Sequence, residues 1–224
     1  ERSIAADPHY ARAYSSLALL YVDTYRYGLG ASQVSFDPLQ RAPELADKSI
    51  ELAPNASNGY LAKSMALWFL HDVEGSIRVA RRGLEINPYD TDLLADLGLH
   101  LAVRARWDKA MPLIEEAYGR NPGAPGSHHI ATFLHEYMTG DYVAALESAN
   151  KVQTPSALSR VARAIAHAQL GQMEEARKAV AEILEIDPRY GDHVREDLAK
   201  RNHVPEIIEA VARGLEKAGL ATGE

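Results

Sequence analysis

The chain has 224 residues with no cysteine, and its 24 basic and 31 acidic residues give a formal net charge of −7. The acidic balance disfavours a nucleic-acid-binding surface, which needs a basic stripe to displace counterions from phosphate, and the lack of cysteine excludes disulfides and cysteine-ligated zinc. No apolar run approaches the roughly 20 residues that span a bilayer, so we expect no membrane segment. The lack of cysteine is consistent with the cytoplasmic location that we expect.

The first eight residues read like the end of a helix followed by proline, and this ending recurs along the chain. Similar stretches end at Pro54, Pro88 and Pro188, and Pro122 and Pro155 complete a lattice with steps of 33 or 34 residues. A period of this length indicates stacked helical units that bury one another's apolar faces. Because the chain opens within such a unit, we expect it to be part of a longer protein.

The first full repeat, about 9–54, contains an insertion at 25–36. Its glycines and serines favour a loop in this insertion. Asp37 and Pro38 then supply an N-cap and a first-turn proline for the next helix. Pro43, inside that helix, predicts a bend or a delayed start.

The clearest repeat is 89–122, where apolar and small residues recur at helical spacing. Gly98 in its first helix and Ala110 in its second are small enough for the two helices to cross closely. The pattern runs through Leu94, Leu97, Gly98, Leu101, Ala110, Ile114, Ala117 and Pro122. It resembles the tetratricopeptide repeat, whose consensus is large, large, small, large and then small, large, small, proline.

That resemblance implies an all-α right-handed superhelix of helix-turn-helix repeats over 1–224 as one domain. After 9–54 the repeats are 55–88, 89–122, 123–155 and 156–188, and a capping helix pair occupies 189–220. Glu174 and Lys178 form an i,i+4 pair in the last repeat, and we expect charged residues on the outer face of the cap. The predicted helices span 9–23, 38–52, 57–71, 73–86, 91–104, 107–119, 126–138, 142–152, 157–170, 173–186, 190–200 and 204–218.

Histidine is the residue type that most invites a catalytic or metal-binding interpretation. His128, His129 and His135 fall on one helix, but no spacing in the chain places two imidazoles on one metal ion. His135 and His167 are more typical of packing residues. There is no glycine-rich phosphate loop and no nucleophile motif, so we predict no catalytic, cofactor-binding or metal residues and no enzymatic activity in this segment.

The resemblance also implies that the second, fifth, ninth and twelfth positions of each first helix face a concave groove. In this chain those positions are largely apolar, which suits an apolar or amphipathic protein segment, or a second copy of the chain. The predicted binding surface consists of Leu61, Met65, Trp68, Phe69, Leu99 and Val103. The alternative is that these side chains are intramolecular core, covered by the insertion or by a preceding part of the protein.

The C-terminal segment 190–220 resembles the end of tetratricopeptide regions that follow a class III adenylate or guanylate cyclase domain, or a winged-helix DNA-binding domain, in bacteria. The resemblance implies a regulatory protein-interaction module joined to a signalling effector. The alternatives are a free-standing scaffold of the same fold and the corresponding region of a winged-helix transcriptional regulator.

Overall fold

The computed structural model describes residues 2–28, 36–123, 126, 129–154 and 156–223. Within these ranges the chain forms thirteen helices and no strand, which confirms the all-α prediction. The helices are α1 Arg2–Ala6, α2 Ala11–Tyr27, α3 Pro38–Leu52, α4 Ser57–Phe69, α5 Val73–Ile86, α6 Thr91–Ala102, α7 Trp107–Arg120, α8 His129–Thr139, α9 Tyr142–Lys151, α10 Leu158–Gln169, α11 Met173–Ile186, α12 Tyr190–Lys200 and α13 Pro205–Ala218.

The helices fall into two compact units, Glu1–Leu97 (unit 1) and Gly98–Glu224 (unit 2), and the boundary lies inside α6. In unit 1, α2 packs against α3, and α4 packs against α5. In unit 2, α8 pairs with α9 and α10 pairs with α11 in the same way. The prediction of one continuous array over 1–224 stays a prediction.

The largest departure from the predicted helix boundaries is at the end of α2. This helix continues past residue 23 to Tyr27 and ends at Gly28, whose φ of 69° is left-handed. The first three residues of the predicted insertion loop are therefore helical. A glycine in this conformation is a common helix C-terminus, and the rest of the insertion, 29–35, lies outside the described residues.

The start of α3 follows the sequence prediction in one respect and departs from it in another. The side chain of Asp37 accepts a 3.0 Å hydrogen bond from the N–H of Leu39, and Pro38 occupies the first turn. Pro43, however, does not delay the helix, which begins at Pro38 and includes it; a bend at Pro43, the other outcome allowed, stays a prediction. The carboxylate of Asp37 accepts from an N–H group of the first turn that has no partner within the helix, so α3 can start before Pro43.

Small residues allow the two helices of a repeat to cross closely. In unit 1, the buried hydroxyls of Ser64 on α4 and Ser76 on α5 lie 3.1 Å apart and hydrogen-bond. In unit 2, a Cβ atom on Gly98 would lie 2.7 Å from Cδ1 of Ile114 and 3.3 Å from the carbonyl oxygen of Ala110. The predicted crossing of Gly98 and Ala110 is therefore confirmed.

The turns inside the repeats share one conformational feature. A left-handed residue closes each of four of them: His71 with φ 65°, Ala105 with φ 55°, Gly140 with φ 86° and Gly171 with φ 75°. Each is the fifteenth residue when the first helices are numbered from 57, 91, 126 and 157. This common position gives a register for the later repeats, where the apolar pattern is less regular.

The last helix pair ends in a tail that folds back on α12. Leu220 is buried, and the N–H of Gly223 donates a 3.0 Å hydrogen bond to the carbonyl of Gly191. Arg195 on α12 joins the two parts, because it forms a 2.9 Å ion pair with Glu209 on α13 and donates to Thr222 Oγ1 at 3.0 Å. Of the charged residues predicted for the outer face of α13, Glu206, Arg213, Glu216 and Lys217 are exposed, whereas Glu209 is half-buried in its ion pair with Arg195.

Candidate protein-binding surfaces

In unit 1, the predicted surface residues lie along α4 and differ in burial. Leu61 and Met65 are half-buried. Trp68 and Phe69 are 3% and 5% exposed. Leu61 and Met65 therefore present accessible apolar area, whereas Trp68 and Phe69 are core residues in this structure.

The extension of α2 accounts for much of the burial of Phe69. The ring of Tyr25 meets the ring of Phe69 edge to face, with centroids 6.0 Å apart. The guanidinium of Arg26 lies 5.9 Å from the centroid of Phe69 and 4.8 Å from that of Tyr27. For Phe69 the structure thus favours the intramolecular interpretation, with the beginning of the predicted insertion as the cover.

A charged cluster lies near these side chains. Asp96 on α6 has a buried Oδ2 atom. Burial raises the pKa of Asp96 from 3.8 to about 7, Asp92 adds to the rise, and Arg26 and the hydroxyl of Ser64 oppose it. Through Ser64, the cluster continues to the buried hydroxyl of Ser76. The cluster therefore links α2, α4, α5 and α6 inside unit 1.

In unit 2, the predicted surface residues are Leu99 and Val103, near the end of α6. Leu99 is half-buried and Val103 is 3% exposed. The carbonyl of Val103 accepts a 3.0 Å hydrogen bond from the N–H of Val204, and Arg104 donates a 3.2 Å hydrogen bond to the carbonyl of Asn202. The loop between α12 and α13 therefore docks on this end of α6.

The helix that follows this loop, α13, packs on α10, the first helix of the preceding repeat, and touches Tyr137 on α8 of the repeat before it. α13 contacts α10 more extensively than it contacts its own hairpin partner α12. A Cβ atom on Gly214 would lie 2.9 Å from Cβ of Ile165 on α10 and 2.5 Å from the hydroxyl of Tyr137 on α8. In the repeat register, Ile165 is a ninth residue and Tyr137 is a twelfth. These are positions that line the groove in tetratricopeptide arrays.

The packing of α13 concerns the last helix pair, whose role as a terminal cap stays a prediction. α13 buries an aliphatic stripe: Ile207, Ile208, Val211, Ala212, Leu215 and Ala218. Near its C-terminal end, Lys217 donates a 2.8 Å hydrogen bond to the side chain of Gln169, whose amide donates to Tyr137 Oη at 3.0 Å. The first-helix face of unit 2 is thus occupied by the chain's own amphipathic helix.

A buried polar cluster anchors the start of α13. Arg201 forms a 3.2 Å ion pair with Asp197, which also accepts a 3.2 Å hydrogen bond from the hydroxyl of Tyr190. Nδ1 of His203 lies 3.0 Å from the carbonyl of Leu198 and donates to it. Burial lowers the pKa of His203 from 6.5 to about 4, Arg201 adds to this effect, and the hydrogen bond to Leu198 opposes it.

The described histidines singled out in the sequence make aromatic or hydrogen-bond contacts. His135 lies against Trp107, with ring centroids 5.4 Å apart, and Nδ1 of His167 lies 2.6 Å from Oε1 of Gln172. His129 stacks on Tyr118 at 4.7 Å, and His128 lies outside the described residues. Among the described residues, no group of three or more His, Asp or Glu side chains could hold a metal ion.

The residues that sequence reasoning missed are Gly214, Ile165 and Tyr137. Gly214 carried a readable signal, because a glycine inside an amphipathic helix costs stability and usually marks a close approach. The apolar stripe of α13 predicts that one face is buried but does not identify the helix that covers it. Nothing in the local sequence therefore indicates that this face packs on α10.

Comparisons with known proteins bear on the fold of the chain. Residues 158–190, which contain α10 and α11, match the family model described as Tetratricopeptide repeat. No curated protein sequence matches the chain. None of the helices in the described part of the chain has the length and apolar character that a bilayer crossing requires.

Several solved structures are similar to this chain. The APC/C hetero-tetramer Cut9–Hcn1 aligns with a TM-score of 0.67 and 12% identity, covering 95% of this chain and 44% of the other. PilW, a type IV pilus biogenesis factor, gives 0.58 and 15%, covering 88% and 90%. A thermophilic TPR protein of Thermus thermophilus, TTC0263, gives 0.56 and 17%, covering 84% and 98%. The chain therefore has a helical fold of the tetratricopeptide type.

Proposed function

We propose that this chain is a protein-interaction module that binds an apolar or amphipathic segment along the first-helix face of unit 1. The observation that carries the proposal is the position of α13 in unit 2. Gly214 of this helix lies directly against Tyr137 of α8 and Ile165 of α10, which occupy groove positions in the repeat register. A surface of this kind therefore holds an amphipathic helix within the same chain. In unit 1, Leu61 and Met65 occupy the fifth and ninth positions of α4 and keep accessible apolar area.

The comparisons support an interaction role without identifying a partner. The Cut9–Hcn1 structure is of a hetero-tetramer, and PilW is described as a biogenesis factor. The proposed partner is a protein or peptide segment, with self-association as the alternative; nucleic acid and membranes are not proposed partners of this segment. In this proposal the segment has no catalytic role and needs no cofactor.

The experiment places a photo-crosslinking amino acid at Met65 in the native host, identifies the linked protein, and measures its affinity for the purified chain. Leu61→Glu and Met65→Glu should weaken binding at least about tenfold, because a buried hydrophobic anchor contributes roughly 2 kcal/mol or more. Val143→Glu is the control, since Val143 is 62% exposed in unit 2. Unchanged affinity in both unit 1 variants would exclude this surface.

We further propose that the module regulates a bacterial cytoplasmic signalling effector, such as a class III adenylate or guanylate cyclase, that precedes it in the same polypeptide. The resemblance of residues 190–220 motivates this proposal. Exposed apolar side chains in a mixed hollow support it: Tyr10 is 49% exposed and Leu20 is 58% exposed. With Leu17, they line a hollow along the first part of α2 to which Ser3, Arg12 and Ser16 also contribute. In a repeat array, a preceding element would cover such a patch.

Two measurements separate this context from the alternatives. The isolated segment should neither turn over ATP or GTP nor bind DNA, and the native gene should encode a further folded domain before it. A reading frame that starts within about one helix of Glu1 would favour the free-standing scaffold. A winged-helix domain encoded there would favour the transcriptional regulator.

A further inference from the structure

α12 makes only a small contact with its hairpin partner. It packs on α13 much less than α8 packs on α9 or α10 packs on α11. One side of α12 is nevertheless closed to solvent, because Tyr190, Val194 and Leu198 are 4%, 1% and 2% exposed. Two non-helical segments also form hydrogen bonds with α12, namely the loop at 201–204 and the tail at 219–223. The position of α12 therefore depends on more than α13.

The tail runs across the start of α12. Gly219, with φ 100°, ends α13, and Leu220 is buried after it. A Cβ atom on Gly191 would lie 2.1 Å from the carbonyl oxygen of Ala221. Two residues further on, the N–H of Gly223 donates a 3.0 Å hydrogen bond to the carbonyl of Gly191. The path of the tail therefore requires a residue without a side chain at position 191.

Arg195 joins the tail to both helices of the hairpin. Its Nε and Nη2 atoms lie 2.9 and 3.1 Å from the two carboxylate oxygens of Glu209 on α13. Its Nη1 atom donates to Thr222 Oγ1 at 3.0 Å and to the carbonyl of Gly223. The hydroxyl of Thr222 donates in turn to the carboxylate of Glu216. A planar guanidinium can make these contacts together because its N–H groups point in fixed directions.

We propose that docking of the tail fixes α12 in place, with Arg195 as the positioning residue, and that release of the tail lets α12 and the loop at 201–204 open together. Proteins open in local units of this kind at a lower free energy than global unfolding requires. The loop forms hydrogen bonds with Val103 and Arg104 at the end of α6, so release of the tail weakens its docking there. α13 remains packed on α10 throughout. This device involves no partner and is independent of the unit 1 surface.

The test is hydrogen–deuterium exchange of the full chain carrying Gly191→Ala. The added methyl group displaces the tail by meeting the carbonyl of Ala221, whereas alanine is a better helix former than glycine. Amides of α12 and of the loop at 201–204 should exchange at least about tenfold faster than in the natural chain, since several hydrogen bonds to the tail are lost. Unchanged or slower exchange in a folded Gly191→Ala chain would overturn the proposal.

Gly119→Ala is the matched control, because Gly119 is exposed on α7 and an added Cβ atom would meet no atom within 4 Å. It should leave exchange in α12 unchanged.

Thr222→Val tests the role of Arg195 without altering α12, because it removes the hydroxyl that binds the guanidinium. Exchange should rise in the same two segments, and unchanged exchange would contradict the role of Arg195. If Gly191→Ala is unfolded by circular dichroism, Thr222→Val carries the test. An equal rise in α10 and α11 would indicate a global loss of stability and overturn the local opening.

Discussion

The N–H of Val204 donates a 3.0 Å hydrogen bond to the carbonyl of Val103, which joins the last helix pair to the repeat at 89–122. In a simple repeat array each unit contacts only its neighbours, and stability is close to a sum of local terms. This contact passes over two repeats. Together with the packing of α13 on α10 and its contact with Tyr137 of α8, it leads us to expect that the stability of unit 2 depends on its C-terminal helix.

The stability of this docking is expected to depend on pH through His203. Its pKa is lowered in the folded state to about 4, so the unfolded chain binds the proton more readily between about pH 4 and 6.5. Stability should therefore rise with pH across this window and fall on acidification, by at most about 3 kcal/mol, since one pKa unit corresponds to about 1.4 kcal/mol.

The substitution His203→Asn should flatten that dependence, because an amide can still donate to the carbonyl of Leu198 but does not titrate. Urea unfolding at pH 4.5, 5.5 and 6.5 gives the slope for each protein. His9→Asn removes an imidazole from an exposed position before α2. Its unfolding free energy should change with pH at the same slope as that of the natural protein. An equal slope in His203→Asn would contradict the prediction.

Trp68 separates the two interpretations of the unit 1 surface. Because Trp68 is 3% exposed, Trp68→Ala should cost roughly 3–5 kcal/mol of folding free energy, as expected for truncation of a core aromatic. Tyr89→Ala removes an aromatic ring that is 65% exposed in the same unit and should change stability by less than about 0.5 kcal/mol. Guanidinium titrations measure the free energy of unfolding of both variants. A small loss of stability in Trp68→Ala would support the interpretation of Trp68 as a binding-surface residue.

The sequence predicts local features of this chain well and distant contacts poorly. Asp37 and Pro38 identify the start of α3 because cap chemistry is local. The end of α2 was missed although Gly28 was available as a C-terminal signal, because the glycines that follow also favour a loop. The packing of α13 on α10 was missed because Gly214 and Ile165 lie in different helices, and the apolar face of a helix does not specify which helix covers it.

Asp96 is expected to oppose stability at neutral pH. Its pKa is raised from 3.8 to about 7, so the folded chain binds the proton more readily than the unfolded chain. Stability should therefore fall as pH rises from about 4 to 7, by at most about 4 kcal/mol, and partial exposure of the residue reduces this value. The sign is opposite to that of His203.

In Asp96→Asn the decrease in stability between about pH 4 and 7 should disappear, and the variant should be more stable than the natural protein above pH 7. Asp92→Asn is the comparison, because Asp92 contributes to the raised pKa of Asp96. It should move the window to lower pH without removing it. Thermal melts between pH 4 and 8 test both variants, and a loss of stability in Asp96→Asn at pH 8 would show that the charged carboxylate is required for its contact with Arg26.

The left-handed turns allow backbone strain to be measured in unit 2. Ala105 has φ 55° and Gly140 has φ 86°, at the same position of successive repeats. A side chain in this conformation costs about 1–2 kcal/mol, whereas glycine adopts it freely. A Cβ added to Gly140 would meet no atom within 4 Å, so the cost of Gly140→Ala is a backbone effect rather than a clash.

Ala105→Gly should therefore stabilise the chain by up to about 1 kcal/mol, because relief of the strain is partly offset by the greater flexibility of glycine in the unfolded state. Gly140→Ala should destabilise it by about 1 kcal/mol, and the double variant should show nearly additive effects, since the two turns belong to different repeats. Urea unfolding measures the three free energies. Destabilisation by Ala105→Gly would mean that the methyl group of Ala105 contributes more through packing than its backbone conformation costs.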